Sequence, residues 1–330
     1  MKKPGVLVAM DGQWLLHRAW HASSRVEDLE AQQRVIARQL TAWAFVYGLT
    51  HQAEYLMMAF DGGECFRYDV WPEYKISRKT IVDKAGERVS VDEARRLVRA
   101  GVTIERESDS LYEAQKATMA MLRRFSIPVV HLPQFEADDC LASAGALRRL
   151  HPERLRKVVL VAKDKDTIQS IEKGVLQWYP HEDRTQPPVT LTHEDLAPRL
   201  TKYVHADAAG WTPQQFRAYQ ILTGDSIDDI PQIVSPGKAR KIVNEYGTLR
   251  AYFATDEGSD FYYQRQADLQ RNHRLIVMRT DLFEETPLDN FYFNAKEFKL
   301  PQEAIHSRSL STACNDYVGW RAMTTQRSLF

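Results

Sequence analysis

The chain has 330 residues, 44% of them hydrophobic, and its 44 basic and 44 acidic side chains cancel to a formal charge of zero. This composition excludes a disordered chain and allows a large core with a second lobe, while zero net charge excludes a global field as the grip on nucleic acid. Cys65, Cys140 and Cys314 are scattered without a C-x-x-C pair, which excludes a disulfide framework and a thiolate zinc site, and no apolar run reaches the ~18 residues of a membrane span.

Val6-Leu-Val-Ala-Met10 is a buried-strand run that ends at Asp11-Gly12, and Trp14 to Ala22 continues as a helix or turn rich in aromatics. Ala31 to Thr50 has a helical pattern, after which the apolar run Tyr55 to Phe60 ends at Asp61-Gly62. Residues from Phe66 to about Glu107 differ in texture, with basic residues in modest excess over acids and Trp71 and Tyr74 among them. Aromatics beside cations can stack bases while the cations hold phosphates, which favours a functional reading of Lys75 and Arg78. The run Asp92 to Arg99 reads as a charged surface helix. Lys84-Ala-Gly-Glu-Arg88 reads as a hairpin turn followed by Val89-Ser-Val91, so a small ribbon is expected here.

Tyr112 to Phe125 is helical, Ile127 to Leu132 is a short strand, and Glu136-Ala-Asp-Asp139 opens a helix running to Leu150. Three carboxylates at one strand-to-helix junction gain from the helix dipole, yet repel one another unless cations sit among them. Oxygen-only donors suit hard ions such as Mg²⁺ or Mn²⁺. The strand Lys157 to Ala162 then leads through Lys163 to Asp164-Lys-Asp166. Strands alternating with helices build a parallel sheet, whose ligands bind beyond the carboxyl ends of the strands. Asp11, Asp61, Glu136, Asp138, Asp139, Asp164 and Asp166 can therefore converge. Any one of them alone reads as a turn or cap residue; acids at the ends of four strands point to a pair of ions serving phosphodiester hydrolysis.

Beyond the proline-rich loop Pro180 to Pro188, helical patterns take over. Thr212-Pro-Gln-Gln215 starts a helix that ends at Gly224, the loop Asp225 to Ser235 follows, and Pro236-Gly-Lys238 is expected as a tight turn before a helix Ala239 to Tyr246. Gly237 would bring the backbone close to a phosphate, with Lys238, Arg240 and Lys241 beside it. A plain helical hairpin explains the same residues.

These motifs, in this order, resemble the structure-specific 5′ nucleases: flap endonucleases, the 5′-nuclease domain of bacterial DNA polymerase I and bacteriophage 5′ exonucleases. The resemblance runs from about Val6 to about Phe283. It rests on Met10-Asp-Gly12 with Arg18-Ala-Trp-His-Ala22, Phe60-Asp61 with Phe66-Arg67, and Pro72-Glu-Tyr-Lys75 with Arg78. Glu136-Ala-Asp-Asp139, Lys163-Asp-Lys-Asp166, Thr223-Gly-Asp225 with Asp228, and Arg271 to Leu282 complete it.

The resemblance implies a PIN-like α/β fold: a mostly parallel sheet flanked by helices, a helical arch, and a C-terminal helical lobe carrying a helix-three-turn-helix. The domains expected are a metal-binding nuclease domain over 1–180 with the arch at about 66–110, a DNA-binding lobe over 181–290 with the helix-three-turn-helix at about 214–247, and a tail over 291–330 of no assigned role. Asp11, Asp61, Glu136 and Asp138 would hold the first ion with Asp139 nearby; Asp164, Asp166 and Asp228 would serve the second, supported by Asp225. Lys75 and Arg78 would act at the scissile phosphate. Arg18, Arg67, Lys79, Gly237, Lys238, Arg240 and Lys241 would join them in binding DNA. The turn here is shorter than the family's, keeping only Gly237 and Lys238, and the arch is longer.

The expected activity is a Mg²⁺- or Mn²⁺-dependent 5′-3′ exonuclease and flap endonuclease, acting on DNA with a 5′ end or flap and on RNA–DNA primers, with K⁺ at the helix-three-turn-helix. It is expected as a stand-alone, monomeric, cytoplasmic nuclease, in the host cytoplasm if phage-encoded, and replication proteins are its expected partners. The competing readings are a catalytically weak DNA-junction-binding protein and a small-molecule phosphohydrolase.

Overall fold

The computed structural model describes residues 4–63, 65–78, 81–82, 89–102, 105–106, 110–181 and 185–293. The expected turn at Lys84 to Arg88, Lys79, and the tail beyond Phe293 lie outside the described residues. In chain order the elements are β1 (Gly5–Asp11), α1 (Gly12–Ala22), α2 (Leu29–Thr50), β2 (Tyr55–Phe60), α3 (Phe66–Val70), β3 (Ile81–Val82), α4 (Val91–Arg99) and β4 (Glu105–Arg106). There follow α5 (Ser110–Arg124), β5 (Val129–His131), α6 (Ala137–Leu150), β6 (Leu155–Val161), β7 (Val175–Tyr179) and β8 (Val189–Leu191). The chain continues through α7 (Ala197–Tyr203), α8 (Pro213–Thr223), α9 (Pro236–Tyr246), α10 (Leu249–Phe253) and α11 (Asp256–Ile276).

Two compact units form, each discontinuous in sequence: one from Met1–Gly63, Asp109–His193 and the chain from Arg279, the other from Glu64–Ser108 and Glu194–Met278. A linear reading into 1–180, 181–290 and 291–330 does not capture this division, because the segment after β2 belongs with the later helices and the chain from Arg279 returns to the first unit.

The first unit is the mostly parallel, helix-flanked sheet expected from the sequence, with strand order β5-β2-β1-β6-β7-β8 and only β8 antiparallel. Side chains alternate between faces along a strand, and both faces here are covered. Val6, Val8 and Met10 pack with Leu15, Leu16, Ile36, Leu40 and Trp43 on one side. Leu7 and Ala9 pack with Ala137, Leu141 and Ala144 of α6 on the other. Phe283, Leu288 and Phe291 complete that second face, and the Phe293 N–H donates to Glu54 O at 2.8 Å. The start of the segment expected as a tail is therefore part of this core.

In the second unit, α8 begins at a Thr212 cap whose hydroxyl accepts from the Gln215 N–H, with Pro213 in the first turn. Leu222, Ile230, Ala239, Ile242, Tyr252 and Leu269 form its core. The small ribbon exists but pairs Ile81–Val82 with Glu105–Arg106, on either side of α4. Val89-Ser-Val91 is no strand: the Ser90 hydroxyl accepts from the Glu93 N–H and caps α4, so hydrogen bonding outweighs the β-branched pair. Among the described residues no helix is long and apolar enough to cross a membrane.

Candidate metal centre

Strands β5, β2, β1 and β6 are neighbours and run parallel, so their carboxyl ends lie along one edge of the sheet. The chain visits β1, moves out through β2 to β5, and then crosses to β6 on the other side of β1. A reversal of this kind leaves a crevice beyond the strand ends. Asp11 ends β1 and Asp61 follows β2 directly; Glu136 caps α6 after β5, and Asp164 and Asp166 follow β6.

Asp11 is 7% exposed, and its Oδ1 accepts from the Trp14 N–H at 2.8 Å, capping α1. Burial pushes its carboxyl up, the Trp14 N–H opposes this, and the charges of Asp61 and Asp164 push it further, to about 7. Asp61 Oδ1 accepts from the Ala137 N–H at 2.9 Å, which joins the end of β2 to the first turn of α6. Cys140 registers the same crowding: burial, then the charges of Asp139, Asp61 and Asp138, raise its thiol far above the ordinary range. Asp11, Asp61, Asp138, Asp139 and Asp164 are thus brought within electrostatic reach of a common region. An all-oxygen set, with one buried member raised above the ordinary carboxylate range, fits a hard divalent cation.

Asp139 has a different environment from its neighbours. It is fully buried, its Oδ2 accepts from the Glu136 N–H at 3.3 Å, and its Oδ1 accepts from the Arg279 N–H at 3.0 Å. Both oxygens thus hold backbone, tying α6 to the segment that begins at Arg279. Asp138 is partly buried in the same helical turn. Asp164 is exposed, and its Oδ1 accepts from the Asp166 N–H at 2.8 Å.

Within the second unit, Asp225 and Asp228 are each 9% exposed on a loop closed by Asp225 N–H to Ile230 O (3.1 Å) and Ile230 N–H to Asp225 O (2.8 Å). Asp228 Oδ1 pairs with Arg78 Nη2 at 2.5 Å, and Asp228 O accepts from the Lys75 N–H at 2.9 Å. Lys75 has a left-handed backbone (φ 53) and places its Nζ 4.9 Å from the centre of the Tyr74 ring. The loop Asp225 to Ile230 and the turn Lys75 to Arg78 are therefore held together.

Three of the residues expected to contact DNA have the following surroundings. Arg67 is 3% exposed, donates from Nε to Leu275 O at 2.8 Å and lies over Phe66, so it braces the second unit's core and cannot reach a phosphate without leaving it. Arg18 stacks over Trp43 in the first unit. Gly237 sits in no tight turn: α9 begins at Pro236 behind a Ser235 cap, because a cap followed by proline starts the helix three residues earlier than the expected Ala239. Lys238, Arg240 and Lys241 stay on α9, with Lys238 Nζ 5.5 Å from the Phe261 ring centre.

Supporting residues went unread in the sequence. Gln115 donates to Asp61 O at 3.0 Å, and Gln177 to Ala162 O and Asp164 O at 3.0 and 2.7 Å. Gln177, fully buried within the apolar run Val175 to Tyr179, carried the one available signal: an amide inside a strand needs partners. The glycines of both Asp-Gly doublets are steric requirements. A Cβ on Gly12 would lie 2.6 Å from Ala59 O, and one on Gly62 only 1.9 Å from Leu132 O.

Residues 6–199 match the family model described as 5′-3′ exonuclease, N-terminal resolvase-like domain. DNA polymerase I of Mycobacterium tuberculosis is 26% identical over 298 residues, covering 86% of this chain and 28% of that protein. The chain thus spans little more than a quarter of those polymerase relatives. The 5′-3′ exonuclease of Aquifex aeolicus is 25% identical over 214 residues, 64% of this chain and 68% of its own length. In fold, the chain is similar to the T5 D15 protein co-crystallised with metal ions, with a TM-score of 0.57, 17% identity, and 95% and 98% of the two chains covered.

Proposed function

Because this chain belongs to the 5′-3′ exonuclease family, we propose that it hydrolyses phosphodiester bonds near the 5′ ends of DNA, with divalent cations held at its strand-end carboxylates. The observation that carries this reading is the edge where four parallel strands end, at which Asp11, Asp61, Glu136 and Asp164 end or follow one strand each. Metal-bound solved relatives, among them the T5 5′-exonuclease with zinc, support a divalent site.

Asp11, Asp61, Glu136 and Asp138 would hold one Mg²⁺ or Mn²⁺, and Asp164 and Asp166 a second, with Asp228 assigned to that second ion and Asp225 to its support by resemblance to the family. When bound, such a pair activates water for attack at phosphorus and stabilises the leaving oxygen. Asp139 would orient α6 and so aim Asp138. Gln115 and Gln177 would fix the backbone that carries Asp61 and Asp164. Lys75 and Arg78 would meet the substrate phosphate, and Lys238, Arg240 and Lys241 would follow the duplex backbone without reading sequence.

A K⁺ site in the loop before α9 has fewer carbonyls to draw on, since Ile230 O accepts from the Asp225 N–H and Pro231 O from Asn272 Nδ2 at 2.8 Å. RNA–DNA hybrids as substrates, replication proteins as partners, a monomeric state and a cytoplasmic setting belong to the same proposal. The test is a 5′-flap duplex labelled at the 5′ end or internally, with and without Mg²⁺. Metal-dependent release of short 5′ products supports the reading; binding without cleavage across metals and pH would leave a junction-binding protein instead.

A further inference from the structure

Helix α4 carries Arg95 and Arg99 one turn apart on the same face, and both reach carboxylates outside their own helix. Arg99 donates to the two oxygens of Glu73 at 2.6 and 3.1 Å. Arg95 Nη2 donates to Asp229 Oδ1 at 2.8 Å, with its Nε 3.8 Å from Glu73. Ala94, fully buried, packs on Ile76 beneath these pairs. The other charged face of α4 is ordinary surface: Arg96 pairs with Glu93, three residues back on the same helix.

Asp229 is the busiest of these groups. Its Oδ2 accepts from the Ser77 N–H at 2.9 Å and the Ser77 hydroxyl at 2.6 Å, and its backbone oxygen accepts from Trp71 Nε1 at 3.0 Å. Its backbone is left-handed, with φ 56, a conformation that a non-glycine residue holds only when surrounding contacts impose it. Ser77 and Asp229 are the chain neighbours of Arg78 and Asp228, which are themselves paired.

We propose that Asp229 is a positioning residue for cleavage: by joining Arg95 of α4 to Ser77, it fixes the turn from which Arg78 meets the substrate. This rests on the reading of Arg78 given above. The contact lies wholly within the second unit and uses no metal ligand as its donor or acceptor. Misplacing a phosphate contact lowers the rate of the bound complex more than it weakens binding.

The experiment measures single-turnover cleavage of a 5′-flap duplex in Mg²⁺, and DNA affinity in Ca²⁺, for the full chain and for Asp229→Asn, Arg95→Gln, the double variant, and Arg96→Gln as control. Each single variant at the contact should lose roughly tenfold in rate with affinity within about twofold of the parent, and the double variant should lose no more than the worse single. Arg96→Gln should cut like the parent. Should Asp229→Asn unfold, Arg95→Gln reads the same contact from α4. Parent-like rates in both single variants, losses that multiply in the double, or rates that fall only together with affinity and melting temperature would overturn the positioning role. A parent protein that cuts no DNA would instead overturn the proposed function.

Discussion

Asp139 Oδ1 accepts a hydrogen bond from the Arg279 N–H at 3.0 Å, although the two residues are 140 positions apart. With Oδ2 on the Glu136 N–H, this carboxylate fastens the opening of α6 on one side and the returning chain on the other. Asp138, its neighbour, is partly buried in the same helical turn. Asp139→Asn places an amide donor where two N–H groups need acceptors and should cost about 1–3 kcal/mol of stability, measured by urea unfolding. Asp138→Asn should leave stability nearly unchanged and lose cleavage. Equal unfolding midpoints for the two variants would refute the division of roles.

The glycines give a graded steric test. Gly62→Ala brings a Cβ to 1.9 Å from Leu132 O and must push the end of β2 away from the loop after β5. It should destabilise strongly and lower metal affinity, since Asp61 moves with it. At Gly237 nothing lies within 4 Å of the added Cβ, and the residue sits in the first turn of a helix. Gly237→Ala should stabilise by about 0.5 kcal/mol. If DNA affinity also falls, the backbone at that turn approaches the phosphate closely; unchanged affinity shifts the grip to Lys238, Arg240 and Lys241.

Much of the first unit was legible because its signals are local. Each buried strand is a short apolar run, and each of four runs is followed by an acid, so parallel pairing alone sets the acids along one edge. The burial of Arg67 and the start of the helix containing Gly237 were not legible in the motifs around them. A basic residue or a glycine near a motif looks like a ligand contact, while the burial of Arg67 depends on Leu275, far away in sequence, and the start of α9 is set by the Ser235 cap. The role of Asp139 was invisible because its partner Arg279 is distant in sequence, and the ribbon's pairing was not legible because its two strands lie on either side of α4.

Arg67 makes that lesson measurable. Arg67→Ala removes the Nε bond to Leu275 O and the packing over Phe66. The second unit should lose about 2–4 kcal/mol. At temperatures where the variant stays folded, its DNA affinity and the salt dependence of binding should match the parent. A salt slope reduced by about one would mean that Arg67 does reach a phosphate.

His51 sets an acid limit on the first unit. It follows α2 with its ring edge-on to Trp178, 4.8 Å between centres, and burial and then the nearby Lys157 charge lower it to about 4. The unfolded chain takes up this proton near pH 6.5, so the folded state is disfavoured as pH falls from about 6.5 to about 4, and its contribution is complete above 6.5. The loss over that range should be on the order of 3 kcal/mol. His51→Leu should flatten the fall in urea stability between pH 7 and pH 5; an unchanged fall would remove His51 as its cause.

The central claim is that the strand-end carboxylates of the first unit make this chain a metal-dependent nuclease. Its most direct test is single-turnover cleavage of a 5′-flap duplex across a Mg²⁺ titration, for the parent, Asp138→Asn and Asp164→Asn, with DNA binding followed in parallel. Cleavage should rise with Mg²⁺ and vanish in EDTA, and both variants should bind the duplex while cutting at least about a hundredfold more slowly. Full cleavage by either variant, or cleavage that persists in EDTA, would contradict it.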